Sequence, residues 1–276
     1  AEVKHWFDVF NEMEKRKETI LSTIEEAGAL NDELREKITM TTSSSELEDL
    51  YLPYKPKRRT KATAAKELGL EPLADLMWNV RTRDPERDAA KFVKGKVENV
   101  EAALSGARDI IAERLSETAV IRENLRGIFR SRRIEARLSK NFSDSPQAAK
   151  YRTYFNFSMP LNRIPAHNLL AILRAENEGI LTVGIDSDIE KCTNKIYYDF
   201  CKGHSFPGQA LEKQIRLAVN DSFKRLLEPS ISNEVIREAK EKADKESIEI
   251  FGENLRDLLL SAPLGQKRTM AIDPGF

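Results

Sequence analysis

Tyr51-Leu-Pro-Tyr-Lys55-Pro-Lys57-Arg58-Arg59-Thr60-Lys61 packs five basic side chains into eleven residues without an acid. Lys and Arg neutralise phosphates, and Thr60 with neighbouring backbone N–H groups can add uncharged contacts. Tyr51 and Tyr54 supply rings on which a base or sugar can stack. A second cluster, Arg126, Arg130, Arg132, Arg133 and Arg137, uses arginine alone. The planar guanidinium suits phosphate or carboxylate pairing. Each cluster has two readings. Its cations either face a polyanion or pair internally with carboxylates, for which the acid-rich start of the chain is a ready source.

Other chemistry lacks its residue sets. There is no glycine-rich phosphate loop, Walker motif or Gly-x-Ser-x-Gly elbow. His5, His167 and His204 are scattered, without the i, i+4 partner of a helical zinc site. Cys192 and Cys201 make neither a disulfide scaffold nor a four-ligand zinc site. Asp186 and Asp188 lie in a turn, where carboxylates serve as caps. Asp273 ends an apolar stretch, the place where a ribonuclease H-like fold holds a metal, but it has no evident carboxylate partners. No catalytic residue, metal site or cofactor is expected, and the chain is expected not to be an enzyme.

The elements that must position the clusters are mostly helical. The 276 residues carry 45 basic and 45 acidic side chains, and 33% are charged against 7% aromatic. That balance excludes a uniformly basic nucleic-acid coat, and the charge-rich, glycine-poor mix fits amphipathic helices. No stretch approaches the ~20 apolar residues of a membrane span, and no signal peptide opens the chain. With two reduced thiols, this predicts a cytoplasmic protein without membrane contact.

Phe7, Phe10, Met13, Lys17, Ile20, Leu21 and Ile24 form one helical stripe. Asn31 caps a second helix, and Ser43 with Glu46 or Ser45 with Glu48 fits a capping box for a third. Thr60 starts a helix that Gly69 ends, and Pro72 opens the next, giving a helix-turn-helix-like pair. Asp84-Pro85 starts another. A long stripe runs from Val100 to Ile128, with a break expected at Gly106. Alternation over 131–138 predicts a short strand, and Ile180-Leu-Thr-Val-Gly-Ile185 is the clearest strand. Helices are expected from Pro146, from Pro165, after Asp188 and after Pro207-Gly208. Pro229 is expected to separate the last of these from a long terminal helix. Thr269 to Asp273 reads as a strand.

The stretch Leu47-Glu-Asp-Leu-Tyr-Leu-Pro-Tyr-Lys-Pro-Lys-Arg-Arg-Thr-Lys-Ala-Thr63, followed by Gly69-Leu-Glu-Pro-Leu-Ala74, resembles the signature of the bacterial Tex family. Tyr154-Phe-Asn-Phe-Ser158, Arg163-Ile-Pro-Ala-His167 and Asn177-Glu-Gly-Ile-Leu181 resemble it too, in the same order. Ile272-Asp-Pro-Gly-Phe276 resembles the opening of that family's YqgF, ribonuclease H-like domain, which is regarded as lacking a complete nuclease site.

The resemblance implies a transcription accessory protein, similar to the core of a eukaryotic elongation factor and histone chaperone. It implies a mainly α multi-helix array bearing a helix-turn-helix-like segment, a minor β element near 180–185 and the start of a truncated ribonuclease H-like domain. The expected segments are 1–140, 141–262 and 263–276. The family also carries a further helical segment ahead of Val3, helix-hairpin-helix motifs and a C-terminal OB-fold RNA-binding domain, so the chain is expected to be an N-terminal fragment. Expected partners are RNA or DNA, RNA polymerase or its associated factors, and the remaining domains of the same protein. Nucleic-acid contact is assigned to Lys55, Lys57, Arg58, Arg59, Lys61, Arg126, Arg130, Arg132 and Arg133. The alternative is a scaffold that binds only proteins. Internal pairing of Lys57, Arg58 and Arg59 favours the scaffold, and one open stripe with Arg130, Arg132 and Arg133 favours nucleic acid.

Overall fold

The computed structural model describes residues 2–56, 58–140, 146–202, 206–263, 265, 267, 268 and 270–272. The chain divides into two compact units, each discontinuous: Ala1–Arg133 with Gly184–Val235, and Ile134–Val183 with Ile236–Phe276.

The first unit opens with α1 (Glu2–Glu26), α2 (Asp32–Met40) and α3 (Ser44–Tyr51). Ile20 and Ile24 are fully buried with Ile38, Leu47 and Tyr51, whereas Phe7 and Phe10 stay exposed at the other end of the same stripe. Lys17 lies in the stripe because its apolar stem is buried while its ammonium donates to Glu14 and to the Thr39 carbonyl, both at 2.9 Å. Asn31 caps α2, accepting from the Leu34 N–H at 2.8 Å. Ser43, rather than Ser45, caps α3. Glu46 does not complete the capping box, since the Ser43 N–H donates to the Thr41 hydroxyl oxygen at 3.4 Å, and that hydroxyl in turn donates to the Glu46 carboxylate.

α4 (Lys61–Glu67) and α5 (Glu71–Trp78) are joined through Gly69, whose φ of 75° is the left-handed conformation that glycine permits. α6 (Pro85–Ala90) begins at the Asp84 cap. These helices surround α7 (Val100–Ser116), which is buried along Ala103, Leu104, Ala107, Ile110, Ile111 and Leu115. The break expected at Gly106 does not occur. A Cβ there would lie 2.4 Å from Leu70 Cδ1, so this glycine admits a neighbouring side chain and leaves the helix continuous. The helix stops instead at Glu117, and α8 (Ala119–Arg130) follows.

α10 (Ile189–Cys201) starts at Asp188, which accepts from the Lys191 N–H at 3.0 Å. α11 (Gln209–Asp221) passes into one π-helical segment, Ser222–Leu227, and then into α12 (Glu228–Leu260). Pro229 was expected to separate two helices. It lies inside a continuous one, because the widened turn relieves the clash of the ring with the carbonyl four residues back.

The second unit holds a three-stranded sheet of order β2-β1-β3, from β1 (Arg133–Leu138), β2 (Asn156–Pro160) and β3 (Leu181–Ile185). Ser139 N–H bonds to Ile180 O at 2.9 Å and Leu138 N–H to Phe155 O at 3.2 Å. α9 (Ala166–Asn177) buries Ile172 and Ala175 with Ala136, Tyr151, Ile180 and Leu181. The helix expected from Pro146 is a 3-10 helix, Pro146–Tyr154. The strand expected over 269–273 is not present at Met270, Ala271 and Ile272, which are exposed and without regular structure, and a lone strand has no neighbour to pair its backbone. Thr269 and Asp273 lie outside the described residues.

Candidate nucleic-acid interface

The first basic cluster lies on an elbow between α3 and α4. Pro53 and Pro56 keep the chain from continuing as helix, and Thr60 restarts it by accepting from the Thr63 N–H at 3.0 Å. Lys55, Arg58 and Lys61 are exposed. Neither Lys55 nor Arg58 forms an ion pair among the described residues, and Lys57 lies outside them. Arg59 pairs with Glu67 at 2.7 Å, with both side chains largely in solvent. Such a pair holds little free energy, so a phosphate can compete for this arginine.

The tyrosines are not placed for stacking as expected. Tyr51 is buried in the core of the first three helices, and Arg16 covers its ring 5.4 Å from the centroid while gripping Glu48 at 2.7 and 3.0 Å. Tyr54 is half-buried against the same core. Lys55 borders a cavity of about 220 Å3 together with Glu113, Ser116, Glu117, Arg122 and Ser230.

The second cluster splits apart. Arg126 is 1% exposed and cannot reach a polyanion. Its guanidinium donates to Asp49, to Glu123 at 2.9 and 3.1 Å, and to Glu234 at 3.2 Å. Burial alone would lower its pKa, but the hydrogen bonds and charge of Asp49 and Glu123 outweigh that and raise it. The expectation of a phosphate contact at Arg126 is therefore corrected: it is an internal carboxylate partner.

Arg122, one turn earlier, shares this role and was missed. It donates to Asp49 at 2.6 Å, to the Ser116 carbonyl at 3.3 Å, to Ser230 at 3.2 Å, and to Glu234. The available signal was its i, i+4 spacing from Arg126 beside the apolar Ile121 and Leu125. Arg130 is exposed and lies 3.6 Å from the Glu123 carboxylate. Arg132 donates to the Asp186 carbonyl at 2.9 Å, with the Asp186 carboxylate at 3.5 Å. Arg133 is exposed at the start of β1, where its carbonyl accepts from the Asp186 N–H at 2.9 Å.

Among the described residues no group of His, Cys, Asp or Glu is arranged to hold a metal ion. Burial pushes the Cys192 thiol up to about 11, and it also raises the Cys201 thiol, so neither is an activated nucleophile. Among the same residues no helix is long and apolar enough to cross a membrane.

Comparison with known proteins completes the picture. A family model described as Tex central region-like matches residues 80–251. The chain is 36% identical over 268 residues to the transcriptional accessory protein Tex of Neisseria gonorrhoeae, covering 96% of this chain and 35% of that protein. It is 37% identical over 282 residues to protein YhgF of Escherichia coli K12, again covering 96% of this chain and 35% of the relative. The human S1 RNA-binding domain-containing protein 1 is 26% identical over 292 residues, of which this chain spans 28%. The chain thus corresponds to about a third of the length of these relatives. The family model covers more than half of the chain and the Neisseria and Escherichia relatives cover nearly all of it, and the chain belongs to the Tex family.

Proposed function

We propose that this chain is a helical, non-catalytic scaffold of a cytoplasmic transcription accessory protein, and that its elbow contributes a phosphate-binding surface for RNA or DNA. The observation that carries this is the exposure of Lys55, Arg58 and Lys61 on one short segment, with no carboxylate paired to Lys55 or Arg58 among the described residues. The transcriptional role follows the name of the Neisseria relative, and the nucleic-acid role follows the name of the human one. RNA polymerase or its associated factors, and the other domains of the same protein, are the partners such a scaffold would bring together.

A second reading has its own support. Phe7 and Phe10 on α1, and Ile248, Phe251 and Leu258 on α12, are large apolar side chains left exposed. Such faces suit a protein-binding scaffold without nucleic-acid contact. Titration of labelled single-stranded RNA and duplex DNA at roughly 50 and 200 mM salt separates the two, since multi-phosphate binding loses orders of magnitude across that range. Affinity that collapses with salt supports the elbow. No binding at the lower salt leaves the protein-binding scaffold.

A further inference from the structure

A different part of the first unit carries a platform for a planar ligand. Arg216 on α11 lies over the ring of Tyr197 on α10, its Cζ 3.9 Å from the centroid. Tyr197 stacks in turn on Phe206, with centroids 5.9 Å apart and planes inclined by 14°. Phe206 adjoins Phe200, and Phe200 meets Trp78 edge-on at 5.1 Å. Glu212, one turn before Arg216, holds the guanidinium at 3.0 Å. Hydrogen bonding to Arg216 and Tyr197 keeps the Glu212 carboxyl below its ordinary range. The guanidinium is thus fixed from behind by aromatic rings and from the side by a carboxylate.

Arg216 also borders a shallow, open groove along the outer face of α11, with Gln209, Glu212, Lys213, Leu217 and Asn220. All but Glu212 are exposed. An arginine plane is a stacking surface for an aromatic ring, and one already backed by a tyrosine loses little freedom when a second ring is added. Lys213 stands beside it to meet negative charge. Asn220, one turn after Arg216, offers an amide that both donates and accepts, as the edge of a nucleobase requires.

We infer that the α11 groove binds a base of single-stranded nucleic acid, stacked on Arg216, with Lys213 meeting its phosphate. This site uses none of the elbow residues. The probe is a labelled oligouridylate of about twelve nucleotides, within the usual site size of single-strand binders, beside an abasic strand of equal length. The full chain is expected to prefer the base-bearing strand. Arg216→Ala should weaken that strand roughly tenfold, a moderate loss for one stacked base, and leave the abasic strand unchanged. Arg216→Lys keeps the charge and should not restore the loss. Equal affinity for both strands, an Arg216→Ala variant that binds like the parent, or full recovery by Arg216→Lys would each overturn the site. Adenosine monophosphate binding as tightly as the whole strand would overturn the single-strand assignment. Loss of affinity on replacing Lys55, Arg58 and Lys61 by Glu reports on the elbow and the ratio of base-bearing to abasic affinity reports on the groove, so the two readings fail separately.

Discussion

Arg122 and Asp49 meet 2.6 Å apart, Nε to Oδ1, although 73 residues separate them, and both side chains are only 5% exposed. Asp49 offers its second oxygen to Arg126, and Glu234 likewise takes both arginines. Two guanidiniums and two carboxylates thus join α3, α8 and α12. Removing one member strands the others in a poorly solvating interior. Asp49→Ala is expected to cost about 3–5 kcal/mol, the range for breaking a buried pair, read by urea denaturation. A loss below about 1 kcal/mol would place the pair in the weak surface class.

Asp199 provides a pH test. Burial opposes its ionised form, but hydrogen bonds from Lys195 at 2.6 and 2.7 Å and Asn124 at 2.7 Å outweigh burial and hold its pKa below the ordinary value. A carboxylate depressed on folding adds stability that is complete above its unfolded pKa, near 4. The contribution is lost as pH falls through the folded value. Stability should therefore decline below about pH 4, and Asp199→Asn should flatten that decline while lowering stability at neutral pH. Thermal melts at pH 3 to 7 read both effects.

Gly106 predicts a cost where helix propensity alone predicts a gain. Alanine in a helix interior is worth about 1 kcal/mol over glycine. Here the added Cβ would lie 2.4 Å from Leu70 Cδ1 and 3.3 Å from Ala65 Cβ. Gly106→Ala is expected to destabilise by about 1–3 kcal/mol through overpacking. Combining it with Leu70→Ala should recover part of the loss, since the methyl then fills vacated space. Additive losses in the double variant would refute the steric account.

For the elbow, Lys55, Arg58 and Lys61→Glu together should weaken salt-sensitive duplex DNA binding by at least tenfold and leave the urea midpoint nearly unchanged, because all three side chains are exposed. Unchanged affinity in a folded triple variant would remove the elbow from the interface.

Local signals were legible where their partners lie within a few residues. Asn31, Ser43, Thr60 and Asp84 cap helices because each binds an N–H three residues on. β1 and β3 showed in alternation and β-branching. β2, Asn-Phe-Ser-Met-Pro, has no β-branched residue and is a strand only through its pairing with β1. Arg126 was misread for the same reason. Its partners Asp49 and Glu234 lie 77 and 108 residues away, and its place beside Leu125 does not by itself reveal that carboxylates wait on the apolar face. The groove on α11 was illegible because Arg216 and Tyr197 belong to different helices.

The π-helical turn at Ser222–Leu227 sets the rotational phase of residues 228–235. An α-helix advances about 100° per residue and the i→i+5 turn holds one residue more than an α turn, so deleting two residues, one more than closure to an α turn absorbs, would swing the helix just after it by roughly that angle. Ile231 and Val235, now buried, would rotate toward solvent, and Glu234 would leave both guanidiniums. Insertions, and deletions beyond the first residue, that a surface loop absorbs without harm are therefore excluded from this segment, where chain length acts as a dial.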